Sequence, residues 1–142
     1  MKDRFKFRVW YEPKGITSDK PIMIYNAEDT YDCMAGKPFI IYKSCFGDVL
    51  EDDEYTVMQC TGLKDKNDKL IYEGDIVKTW KFSTGEISNK VVAWNEARCG
   101  CRLYTIDHFK RGIVFSPQSM VHVTTIEVIG NIYENPELLE EY

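Results

Sequence analysis

The chain has 142 residues, 44% hydrophobic and 13% aromatic, with 18 basic against 23 acidic side chains and a net charge of −5. That is enough apolar surface for one domain and too little bias for disorder, and the negative balance excludes a global field that would attract a polyanion. No run approaches the roughly 18 consecutive apolar residues of a spanning helix, and the opening MKDRFKFRVW lacks the apolar stretch of a secretory signal, so the expectation is a cytoplasmic protein without a membrane partner.

From Arg4 to Tyr11 the residues alternate, which predicts a half-buried strand with Phe5, Phe7, Val9 and Tyr11 on one face and Arg4, Lys6, Arg8 and Trp10 on the other. The apolar runs Ile22 to Tyr25 and Phe39 to Tyr42, punctuated by Pro21, Gly36 and Pro38, are short enough for a strand or one helical turn each. The acidic GDVLEDDEY reads as a solvated turn or edge before a strand from Thr56 to Cys60. Asp65 to Asp68 form a turn, since Asn and Asp tolerate left-handed backbone angles, and it leads into Leu70-Ile71-Tyr72.

Gly74 and Asp75 then make a tight structural turn, Gly by adopting positive φ and Asp by accepting hydrogen bonds from the turn's amides. Strands follow from Ile76 to Phe82 and from Ile87 to Trp94, joined by Ser83-Thr84-Gly85-Glu86. Gly100 and Gly112 mark turns around strands Cys101 to Ile106 and Ile113 to Phe115. In the last apolar stretch, Val121 to Tyr133, the facing switches between Val123 and Ile126, which predicts a bulge or two short strands. Asn135-Pro136-Glu137 opens a short helix, with Asn as cap and Leu138 and Leu139 docking it.

The expected fold is mainly β: a small SH3-like barrel or twisted β-meander with additional strands and a short C-terminal helix. One domain over residues 1–142 is the default, and its alternative is an N-terminal subdomain of about residues 1–55 packed on a β-barrel core of about residues 56–142. Ile76, Trp80 and Val128 are the expected core residues, since each lies on an apolar face.

Chemistry is sparse. No nucleophile elbow, zinc-protease helix, phosphate loop or CxxC pair is present. Cys33, Cys45, Cys60, Cys99 and Cys101 are odd in number and irregularly spaced, so they read as thiols; Cys99 and Cys101 stand too close together and lack the second pair a zinc site needs. Asp107-His108 is the best acid-base pair, but neighbours on a strand face opposite ways, and a solvated histidine is the simpler reading. Asp48, Glu51, Asp52, Asp53 and Glu54 lack the alternating ligands of a calcium loop and read as solvated charge. The expectation is therefore no catalytic residue, no cofactor and no metal.

Three segments carry a family resemblance: FRVW at Phe7 to Trp10, MQCTGLKDKNDKLIYEGDIV at Met58 to Val77, and EVIGNIYENPELL at Glu127 to Leu139. Together they resemble the YopX family of phage and prophage proteins. Asp68 stands where the family's turn often has Gly, and Leu70 where a polar residue is common. The resemblance implies a small β-rich phage or prophage protein of the host cytoplasm, and it brings no established activity or catalytic residue with it.

The functional expectation is a non-catalytic accessory protein that binds an unidentified protein partner or itself as a homo-oligomer. The alternative is nucleic-acid binding through Arg4, Lys6 and Arg8, spaced about 7 Å apart along one strand face to follow a phosphate backbone, with Trp10 stacking a base. An enzyme of unrecognised type is the third reading.

Overall fold

The computed structural model describes residues 2–16, 20–29, 46–114, 117–120 and 125–140. The chain is mainly β, as its alternation predicts, and divides into two compact units, Met1–Cys60 and Thr61–Tyr142.

In the first unit β1 (Phe7–Tyr11) lies between β2 (Ile22–Tyr25) and the first half of β3 (Tyr55–Lys64), antiparallel to both. Phe7, Val9 and Tyr11 alternate onto a core that includes Ile24, Ala27, Val49 and Tyr55. The Tyr11 and Tyr55 rings meet at 4.9 Å, and those of Phe7 and Phe46 at 5.0 Å. The ambiguous run Ile22 to Tyr25 is thus a strand, while Phe39 to Tyr42 lie outside the described residues.

Two expectations are corrected here. The strand starts at Phe7 rather than Arg4, because Lys2–Phe5 form a 3-10 turn that Lys6 N closes on Asp3 O at 3.0 Å, leaving Phe5 exposed. The acidic run begins not as a turn but as a helix, α1 (Phe46–Glu51), because Phe46 and Val49 stand three residues apart and meet the core on one side.

In the second unit β4 (Leu70–Tyr72) precedes a four-stranded antiparallel sheet ordered β7-β6-β5-β8, from β5 (Asp75–Lys81), β6 (Glu86–Asn95), β7 (Gly100–Thr105) and β8 (Ile126–Asn131). Of the three strands expected to make a meander, Leu70 to Tyr72, Ile76 to Phe82 and Ile87 to Trp94, the last two pair in this sheet as β5 and β6, and β7 rather than β4 is the third member. One face, carrying Val77 and Val92, joins Ile71, Leu103, Met120 and Ile126 in a core against which Val128 is half-buried. The other face carries Ile76 and Val91, covered by Ile106, Phe109, Leu138 and Leu139. A register shift between Ile76 and Val77 pairs Ile76 with Gly130 and Val77 with Val128, so Ile129 is the extra residue of a bulge.

The cover over Ile76 and Val91 comes from α2 (Ile106–Lys110) and a single 3-10 turn, Pro136–Leu139. The helix α2 replaces the end of the expected strand: Thr105 Oγ1 accepts from His108 N at 3.2 Å, and Ile106 and Phe109 face the sheet. No strand forms at Ile113 and Val114, and Phe115 lies outside the described residues. The Asn135 side chain makes no cap hydrogen bond; its Oδ1 accepts instead from Asn131 N at 3.2 Å, beside Gly130, where any Cβ would lie 2.6 Å from it. Val123, half of the predicted facing switch, lies outside the described residues.

Two acidic side chains hold the turns. Gly74 has φ +82°, and Asp75 Oδ2 accepts from Tyr72 N at 2.8 Å. Asp65 Oδ1 accepts from Asn67 N and Lys69 N, its Oδ2 accepts from Val128 N at 2.9 Å, and Asp68 takes φ +64°. Among the described residues no helix is long and apolar enough to cross a membrane.

Candidate functional site

Trp80, expected in the core, is 49% exposed. Alternation does put Ile76, Lys78 and Trp80 on one sheet face, but α2 and the 3-10 turn cover that face only around Ile76. The β5-β6 hairpin runs on past its cover. Phe82 is 73% exposed with its ring 4.7 Å from Trp80, and Ile87, the cross-strand neighbour of Trp80, is 64% exposed. Periodicity reports which face a residue takes; it does not report whether a second layer lies over that face.

The opposite face of the same strands becomes a groove of about 610 Å³, with Thr79, Ser88, Lys90, Leu103, Thr105 and Gln118 among its lining and Trp80 and Phe82 at its margin. Register explains the set: Thr79 pairs with Ser88, Val77 with Lys90 and Lys90 with Thr105, so the polar side chains continue the face that Val77 and Val92 begin. Gln118 is fixed by reciprocal backbone hydrogen bonds to Leu103, 2.9 and 2.8 Å long. A smaller hollow of about 380 Å³ lies along the Trp80 and Ile87 side, bordered by the Lys66–Glu127 ion pair at 3.0 Å.

Lys90 is the unusual member. It is 7% exposed, and among the described residues its ammonium makes no hydrogen bond or ion pair. Burial pushes its ammonium below the ordinary lysine value; Glu86 opposes that shift and Lys81 adds to it. Thr79 Oγ1 donates to Ser88 O at 3.1 Å and lies 3.2 Å from Ser88 Oγ. The groove therefore offers one partly desolvated cation, a pair of hydroxyls and an aromatic margin.

The basic set expected on one strand face is not assembled. Arg4 sits in the 3-10 turn, its guanidinium 4.8 Å from the Phe5 ring. Lys6 is paired to Asp3 at 2.8 Å, which raises its pKa. Arg8 is 2% exposed, with its guanidinium 5.9 Å from the centre of the Tyr25 ring, and Trp10 is half-buried. The even spacing required an extended chain from Arg4 onward and an outward Arg8; neither holds.

The remaining candidates are dispersed. Asp107 pairs with Arg111 at 3.1 Å on α2, one turn away, rather than with His108. Asp53 pairs with Lys14 at 2.7 Å, Glu54 Oε1 accepts from Lys14 N, and Asp52 Oδ1 accepts from Glu54 N. Among the described residues no three His, Cys, Asp or Glu side chains gather to hold a metal ion, and Cys60, Cys99 and Cys101 form no disulfide. Sequence reasoning missed Lys90. Its signal was position: a lysine on the parity of Val92, in the middle strand of a meander.

A family model described as YopX protein matches residues 6–140, a span containing all three resembling segments. No curated protein matches the chain. Among solved structures, the crystal structure of protein EF1440 from Enterococcus faecalis is similar at 23% identity and a TM-score of 0.46, covering 94% of this chain and 96% of that one.

Proposed function

We propose, from the premise that this chain belongs to the YopX protein family, that it is a non-catalytic phage or prophage accessory module of the host cytoplasm that binds a protein through its β5-β6 hairpin. The observation that carries the reading is the contiguous exposure of Trp80, Phe82 and Ile87 on that hairpin. Solvent exposure of three large apolar side chains in one place contributes little to folding and is typical of a contact surface, where aromatic residues supply most of the binding energy. Nearby hydroxyl, amide and ammonium groups give the orientation that apolar contact lacks.

Affinity capture from a bacterial host lysate, using the parent and a Trp80→Ala/Phe82→Ala variant, tests the reading. A protein retained by the parent and lost by the folded variant supports it; equal retention overturns it. Sedimentation over a range of concentrations separates self-association from a foreign partner. The second reading, nucleic-acid binding from the N-terminal segment, draws support from the exposed guanidinium of Arg4. It requires a low-salt mobility shift that Arg4→Ser and Lys6→Ser together abolish.

A further inference from the structure

Lys90 is held in a position where burial works against its charge and Glu86 offsets that only in part. A lysine removed from water normally finds an acidic partner or becomes neutral. Here the central strand of the sheet fixes it between Val77 and Thr105, with its ammonium in the groove and making no hydrogen bond or ion pair among the described residues. Beside it Thr79 donates its hydroxyl proton to Ser88 O, so in the 3.2 Å contact between the two hydroxyls Ser88 Oγ is the donor, and a ligand would draw that proton away from Thr79. The feature is a built one: it lies on the sheet's middle strand, and its hydroxyl pair is already oriented.

The charge of the ligand follows from the lining. Lys81, Lys90 and Glu86 are the groove's charged residues, leaving one net positive charge. A monoanion balances that charge, whereas a polyanion would meet Glu86 with too few cations. The exposed Trp80 and Phe82, stacked on each other at one margin, favour an apolar group beside the anion.

We propose that the groove binds a single aspartate or glutamate carboxylate, beside an apolar side chain, in an extended segment of the protein partner. The Lys90 ammonium holds the carboxylate, the Ser88 hydroxyl turns from Thr79 to donate to it, and the Trp80–Phe82 pair packs on an apolar neighbour. This inference rests on the protein-docking reading above and gives that reading its chemical specificity.

The test is a titration of the isotope-labelled full chain, followed by amide shifts, with an acetylated and amidated tripeptide of aspartate between two phenylalanines. The same peptide with asparagine is the control. The aspartate peptide is expected to shift the amides of Thr79, Ser88 and Lys90 saturably and to bind at least tenfold more tightly than its control. Lys90→Met keeps the aliphatic stem and is expected to bind both peptides equally, while Lys90→Arg, which keeps the charge, retains the preference. Equal binding by the parent, or a preference that survives Lys90→Met, overturns the carboxylate site. Phenyl phosphate binding more tightly than the aspartate peptide also overturns it, assigning the groove to phosphate. The two readings fail separately. Lysate capture that depends on Trp80 and Phe82 without peptide discrimination leaves docking standing and removes the carboxylate. Discrimination in a protein that captures nothing does the reverse.

Discussion

Val92 and Lys90 stand two residues apart on β6 and face the same way, yet one is sealed in a core and the other lines a groove. Toward Val92 the sheet meets Ile71, Met120 and Ile126, a full apolar layer. Toward Lys90 its neighbours are Thr79, Ser88 and Thr105, and the layer stops. The strand is continuous and its period unchanged. The difference teaches that in a small β protein a site can arise where a sheet outruns its covering layer, with side-chain chemistry changing at that boundary.

Truncation at the sealed end gives the largest effect. Ile71→Ala removes a fully buried side chain and is expected to cost about 2 to 5 kcal/mol in denaturant unfolding. An unshifted midpoint would break the comparison at its core side.

Asp65→Ala comes next, at about 1 to 3 kcal/mol, because three backbone N–H groups lose their acceptor. Burial alone would raise the Asp65 pKa, but hydrogen bonds from Val128, Lys69 and Asn67 prevail and hold it below the ordinary 3.8. Its contribution is thus complete above that ordinary value and fades as pH falls through the lower folded value. The difference between parent and Asp65→Ala should therefore shrink on acidification below about pH 4; a constant difference would reject the linkage.

At the open end Trp80→Ala is expected to cost no more than about 1 kcal/mol, the worth of an exposed aromatic pair. A loss as large as that of Ile71→Ala would show that the hairpin is covered after all. The smallest effect has the opposite sign. Lys90→Met removes a desolvated charge and should raise the denaturant midpoint slightly at neutral pH. Because the folded pKa is lowered, that advantage should diminish as pH rises through the folded value toward 10.5, where the parent sheds its penalty.

Strand positions from β3 to β7 were legible because one face of each strand is buried and the alternation follows the pleat. The helix α2 was legible in principle: Thr105 as cap, with Ile106 and Phe109 three apart, is a helical signature that the apolar Leu103 to Ile106 run masked. Arg8 could not be placed from parity, since strand alternation puts it opposite the buried Val9, yet both are buried. The candidate site was half legible. Trp80 stood out as an aromatic but was assigned to the core, and Lys90 was readable only through its shared parity with Val92. Gln118 lies in a segment without periodicity and reaches the groove only through its bridge to Leu103.

The Asp65 carboxylate also bears on time. Its bond to Val128 N spans 63 residues of chain, and Lys66 N donates to Ile126 O across nearly the same interval. Contacts of such separation bear a large closure entropy before they return any energy, so they form late, after the hairpins between them. Interactions absent from the transition state slow escape from the native state without hastening arrival. The side chain that ties the Asp65 turn to β8 thus acts mainly on the lifetime of the folded unit, setting how long the sheet that carries the groove stays closed against proteolysis once it has formed.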